Sequence, residues 1–133
     1  MHSQVNRFSR SVSSHFDQYF KEFGLATSYV EVLLCIKEDG PLLQKEIANS
    51  MHLDPSTITR FLKKLKQHGW IEKQKGEGRA KIAIHQSRAS DVEELRTLYI
   101  EAERELGRML GEKFTETTLK LLEHGNSLFD KEE

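Results

Sequence analysis

A chain of 133 residues with 37% hydrophobic and 31% charged positions has material for one compact domain and little for a thick core. Its formal net charge of −1 gives no overall attraction to either charge sign, and its one cysteine, Cys35, excludes an internal disulfide; a reducing, cytoplasmic setting is expected. The start "MHSQVNRFSRSVSSHF" lacks the continuous apolar run of a signal peptide, and no stretch approaches the roughly 18 apolar residues of a membrane span.

Val5, Phe8, Val12, Phe16, Tyr19 and Phe23 recur at spacings of three and four, which predicts an amphipathic helix stopped at Gly24. Thr27 or Ser28 caps the next helix, whose apolar set is Val30, Val32, Leu33, Leu34 and Ile36, with Gly40-Pro41 as its end. A short helix follows over 44–51, with Ile47, Ala48 and Met51 inward and a tight turn at His52-Leu53. Asp54 is a favourable N-cap and Pro55 suits the first helical position, so the next helix runs from Pro55 to about His68, before Gly69.

Two short strands come next, at about 71–75 and 80–85, the second placing Ala80, Ile82 and Ile84 on one face. Gly76-Glu77-Gly78 forms the tip between them. Ser90-x-x-Glu93 reads as a capping box opening a long helix with Val92, Leu95, Leu98 or Tyr99, Ala102, Leu106, Met109 and Leu110 as its apolar set. Thr115 begins a last helix carrying Leu119, Leu122 and Leu128 or Phe129. The fold class is mainly α with one small hairpin. A chain of this size buries a modest fraction of its surface, which makes pairing with a second copy a natural way to bury more.

Charge is unevenly spread. Ten basic and four acidic residues give 43–88 a net charge of +6, while 1–42 carry −1 and 89–133 carry −6. A helical wheel places Ile58, Phe61, Leu62 and Leu65 on one side of the fourth helix and Ser56, Arg60, Lys63 and Gln67 on the other, flanked by Thr57, Thr59 and Lys64. A merely solvated helix usually interleaves glutamates among its lysines, yet no acidic residue lies between Pro55 and Gly69. Small hydroxyl side chains let a backbone approach a groove, arginine bonds guanine through two donors, and a helix N-terminus attracts phosphate. On the hairpin, Arg79 and Lys81 point away from Ile82 and Ile84, and an arginine on a projecting tip suits a narrow minor groove. Helix, turn, basic helix and basic hairpin in this order make a winged helix-turn-helix.

The stretch "GPLLQKEIANSMHLDPSTITRFLKKLKQHGWIEKQ", followed by Glu77-Gly78-Arg79, resembles the MarR family of bacterial transcriptional regulators. The resemblance covers nearly the whole chain as a single domain, 1–133, with dimerisation helices at 1–24 and 89–133 around a DNA-binding lobe at 25–88. It implies a homodimer with interlocked first and last helices, bound to double-stranded DNA at a palindromic operator. It further implies repression released by a small-molecule effector or an oxidant, recognition residues within Pro55–Lys66, and a minor-groove arginine at Arg79. The candidate DNA-contacting set is Lys45, Ser56, Thr57, Thr59, Arg60, Lys63, Lys64, Arg79 and Lys81. The family pattern is departed from at Leu43, where a Thr or Ser cap is usual, at His52, where Gly is usual, and at Ala80-Lys81, where arginines are common.

The other reactive residues point to no second chemistry. Cys35 sits in the apolar run "VEVLLCIK" and reads as a small core residue. His2, His15, His52, His68, His85 and His124 show no zinc-site spacing, so no metal is expected. His15 reads as a partly buried interface histidine or the wall of a ligand pocket. With no phosphate loop, nucleophile elbow or placed acid pair, neither enzyme activity nor a cofactor is expected. The competing function is a winged-helix module whose basic face docks an acidic protein. The two readings differ in whether duplex DNA is bound, with a steep salt dependence.

Overall fold

The computed structural model describes residues 1–76 and 78–130. Glu77 of the hairpin tip, and with it the complete Glu77-Gly78-Arg79 signature, lies outside the described residues. Helices α1 (His2–Asp17), α2 (Thr27–Asp39), α3 (Gln44–Met51) and α4 (Pro55–Gln67) precede an antiparallel hairpin of β1 (Ile71–Gln74) and β2 (Lys81–Ile84). Helices α5 (Ala89–Leu110) and α6 (Glu112–Asp130) follow. The hairpin register pairs Ile71 with Ile84 and Lys73 with Ile82.

One core holds the centre of the molecule together. Val30, Leu33 and Ile36 of α2, Ile47 of α3, Ile58 and Leu65 of α4, Ile82 of β2, and Val92 and Leu95 of α5 are buried in it, with Phe16, Phe20 and Trp70. The predicted stripe of α4 is therefore observed, with Phe61 half-buried at its edge. Leu42 and Ile82 exchange two backbone hydrogen bonds, Leu42 N–H to Ile82 O at 3.0 Å and Ile82 N–H to Leu42 O at 2.7 Å. This bridge ties the wing to the chain entering α3, so wing and helices form one unit.

Several helix ends differ from expectation. The first helix stops at Asp17 and continues as a 3-10 helix over Gln18–Phe23 before Gly24, whose φ of 67° terminates it. At α2 neither Thr27 nor Ser28 is the cap. Ala26 holds the extended cap position, and the carboxylate of Asp17 accepts the Thr27 N–H at 2.9 Å and the Thr27 hydroxyl at 2.6 Å. Ser90 is the second residue of α5 rather than its cap. A short 3-10 turn, Gln86–Arg88, leads into that helix, and its Ser87 N–H and hydroxyl are held by His85 Nδ1. Likewise α6 starts at Glu112, and the Thr115 hydroxyl bonds back to Gly111 O at 2.8 Å from inside the helix.

Side-chain burial brings further corrections. Of the apolar set expected on α5, Met109 proves 63% exposed. Ala80 lies before β2 and is exposed, while Ala83 on the opposite strand face is buried, so the strand is covered on both faces at its centre. Cys35 is half-buried, its thiol 3.6 Å from the Ser50 hydroxyl, rather than a core residue. His15 donates from Nε2 to the Ala102 carbonyl at 2.9 Å, pinning α1 to α5. The Tyr99 hydroxyl donates to Glu31 at 2.7 Å and links α5 to α2. Burial, reinforced by the Glu31 carboxylate, holds the Tyr99 phenol protonated well above its ordinary range.

Candidate nucleic-acid interface

The start of α4 is built by Asp54. In the extended conformation required of an N-cap, its Oδ1 accepts the Thr57 N–H at 2.8 Å and the Ser56 hydroxyl at 2.9 Å, with Pro55 at the first helical position. The bond from the Thr57 backbone is the main reason its carboxyl lies below the usual carboxylate range. A lowered folded-state value means the cap contributes stability above the ordinary carboxylate pKa of about 3.9, and loses it as pH falls through the lower value. Thermal melts should therefore show wild type above Asp54→Ala at neutral pH, with the gap closing in acid. A gap that persists to the lowest measurable pH would contradict the cap.

The turn into Asp54 is tight. His52 sits in the left-handed region with φ of 56°, the one non-glycine to do so among the described residues. Its N–H bonds Asn49 O, and the Leu53 N–H bonds Ala48 O. At the start of α3, Leu43 offers no side-chain acceptor, but Glu46 Oε1 accepts the Leu43 N–H at 2.8 Å, half of a capping box. The departures from the family pattern at both positions are thus accommodated locally.

Ser56, Thr59, Arg60, Lys63, Lys64 and Gln67 are exposed on α4, opposite the buried Ile58, Leu62 and Leu65; Thr57 is half-buried. The Thr59 hydroxyl is occupied within the protein: it donates to Pro55 O at 2.9 Å and accepts from Gln44 Nε2 at 2.8 Å. That contact locks the start of α3 to α4. It presents Gln44, absent from the expected set, beside the recognition face.

The wing returns to the same region. Arg79 lines one groove with Lys45, Gln44 and Pro55, bringing the loop end of the hairpin, just before β2, against the starts of α3 and α4. Lys63 lines a neighbouring groove with Lys66, Lys73 and Gln44, between α4 and β1. Lys81 is exposed opposite Gln74. Lys45, Arg60, Lys63, Lys64, Arg79 and Lys81 make no ion pair with the described residues. Among the described residues these cations, none paired with a carboxylate, surround an acid-free helix face. Among the described residues no group of three or more His, Cys, Asp or Glu side chains could hold a metal ion, and no helix is long and apolar enough to cross a membrane.

The model of the MarR family matches residues 27–80, from the start of α2 to the residue before β2. The HTH-type transcriptional regulator YwoH of Bacillus subtilis (strain 168) is 29% identical over 105 residues, 77% of each chain. Over residues 27–80 the chain is similar to the MarR family. The HTH-type transcriptional regulator SarZ of Staphylococcus epidermidis is 32% identical over 63 residues, which span 47% of this chain and only 43% of that protein. The crystal structure of the S. aureus MepR–DNA complex superposes with a TM-score of 0.81 at 22% identity, covering 98% of both chains, which shows the shared fold. The matched segment is the same segment that gathers Lys45, Arg60, Lys63 and Arg79. Its flanking helices α5 and α6 lie outside that segment.

Proposed function

We propose that this protein is a MarR-family transcriptional regulator, acting as a cytoplasmic homodimer that binds a palindromic double-stranded operator and represses transcription until a small effector releases it. The observation that carries this reading is the exposed face of α4, free of acidic residues and rooted in a buried apolar stripe. In it, residues 25–88 form the DNA-binding lobe and 1–24 with 89–133 the dimerisation helices. Ser56 and Thr57 let the α4 backbone approach the major groove. Arg60 bonds guanine, and Lys45, Lys63, Lys64 and Lys81 meet phosphates. Arg79 reaches toward the minor groove. Thr59, whose hydroxyl already has two partners, positions Gln44 rather than reading a base.

The dimer is supported by the apolar surface that one chain leaves uncovered on its terminal helices, including Val5, Leu119, Leu122 and Phe129. Effector control is supported by a crevice between those helices and the DNA-binding lobe, lined by Phe16, Asp17, Glu31, Tyr99 and Leu106. The Tyr99–Glu31 hydrogen bond joins α5 to α2 at its wall, so an occupant that breaks it would alter the spacing of the two recognition helices. His15, engaged with Ala102, is not among the residues lining that crevice.

The test is a titration on duplexes selected from random DNA. Arg60→Ala should weaken operator binding by about 1–3 kcal/mol and relax specificity at the guanine it reads. Lys63→Ala should weaken all sequences alike and flatten the salt slope by about one unit. If wild type and Arg60→Ala titrate identically on the operator, the reading fails. If the dimer ignores duplex DNA even at low salt, the protein-docking module replaces it.

A further inference from the structure

Resting on the DNA-binding reading above, we infer that Tyr29 is a positioning residue for DNA contact, its ring pre-placing the Lys64 ammonium for a phosphate. Tyr29 is the third residue of α2 and lies outside the helix-turn-helix face itself. Its ring stacks on Phe61 of α4, with centroids 4.4 Å apart and an interplanar angle of 29°. Lys64 Nζ lies 5.1 Å from the centre of the Tyr29 ring, and Arg60 Cζ lies 6.0 Å from that of Phe61. The two aromatic rings therefore form a platform with a cation of α4 at each end.

The physics favours positioning over simple packing. Lys64 is exposed and has no carboxylate partner among the described residues, so the ring face is the group that restrains it. A free lysine samples many rotamers and loses that freedom when it binds phosphate. An ammonium already drawn to the negative face of an aromatic ring enters the contact with much of that ordering done. Unlike a carboxylate, the ring restrains the cation without neutralising it, so the full charge still faces the DNA.

The experiment uses the full chain and a random-sequence duplex across a salt series, with Tyr29→Leu, Tyr29→Phe, Lys64→Gln and the double variant Tyr29→Leu/Lys64→Gln. Tyr29→Leu should weaken binding about two- to fivefold, the span of an exposed cation–π contact, while leaving the salt slope unchanged. Tyr29→Phe, which keeps the ring, should bind like wild type. Lys64→Gln should lower the slope by about 0.9, one phosphate contact. In the Lys64→Gln background the Tyr29→Leu penalty should vanish. Thermal melts guard against a folding defect, and a destabilised Tyr29→Leu leaves the Tyr29→Phe comparison and the upfield ring-current shift of the Lys64 side-chain methylenes as DNA-free readouts. The inference is overturned if the penalty persists in the double variant, if Tyr29→Phe binds as poorly as Tyr29→Leu, or if the methylenes show no ring shift. Wild type that ignores duplex DNA overturns the regulator reading first and this role with it. Wild type that binds while the two penalties simply add overturns only the role of Tyr29.

Discussion

Leu122→Arg is expected to leave a folded monomer whose operator affinity has fallen by about 10²-fold or more. The expectation starts from α6, which carries Phe114, Leu119, Leu121, Leu122, Leu128 and Phe129 yet buries no residue within a single chain. Val5 of α1 is likewise 54% exposed, and Phe8 stacks on Phe114 at the rim, with ring centroids 6.0 Å apart. Between α1, α5 and α6 runs an apolar groove lined by Val5, Phe8, Val12, Leu106, Leu110 and Leu122. In the proposed dimer a second copy covers this face and removes it from water. A guanidinium placed in the covered groove loses its hydration without gaining a partner, which costs several kcal/mol.

The fold itself should survive, because the buried core contains no residue of α6. What the proposed dimer would lose is the link between two recognition helices, and with it the advantage of binding the second half-site from an already tethered copy. Sedimentation of the variant should give the mass of one chain, circular dichroism should retain the helical signal, and operator titration should show the loss. A variant that stays dimeric with full affinity would place the contact between copies on another surface.

What could be read from the sequence followed the range of the interactions involved. The α4 helix was legible almost to the residue because its determinants are local: Asp54 and Pro55 at the start, and a 3.6-residue apolar period through Ile58, Leu62 and Leu65. The exposed positions of Arg60 and Lys63 follow from the same period. Thr59 shows where such reasoning stops. The wheel places its hydroxyl near the reading face, but Gln44, from another helix fifteen residues earlier, occupies it. The beginning of α2 differs for a related reason, since Asp17 supplies its cap from ten residues upstream; that of α5 differs for a local one, a short 3-10 turn held by His85 that runs straight into the helix. The grouping of Arg79 with Lys45 depends on the Leu42–Ile82 bridge, which pairs the second strand with a residue outside both predicted strands. Tyr29 carried no charge or motif that would have singled it out, and its place beside Lys64 is fixed only by the packing of α2 on α4.

Trp70 was equally silent in the sequence, yet Trp70→Ala should be the most damaging single truncation for stability, at about 3–5 kcal/mol. The indole is 2% exposed at the junction of α4 and β1. Phe23 meets it at 6.1 Å from below the first helix, and the Arg88 guanidinium lies 4.0 Å over its centre. Arg88 in turn bonds His68 O at 3.1 Å and Asp91 at 2.9 Å, so the stack clamps the end of α4 to the start of α5. The Trp70 backbone adds to the junction, donating to Leu65 O and accepting from the His85 N–H, both at 2.9 Å. Removing the ring leaves a large cavity under four elements and strands Arg88 without its platform. Since a whole domain of this kind is stable by only about 5–15 kcal/mol, the loss is a large share of the total. Urea denaturation at fixed protein concentration should show it, with Trp70→Phe intermediate. A cycle with Arg88→Ala should give a coupling of about 0.5–1 kcal/mol for the stacked pair. Wild-type stability in Trp70→Ala would mean that the junction closes without the indole, and the wing would then have to be held chiefly by the Leu42–Ile82 bridge.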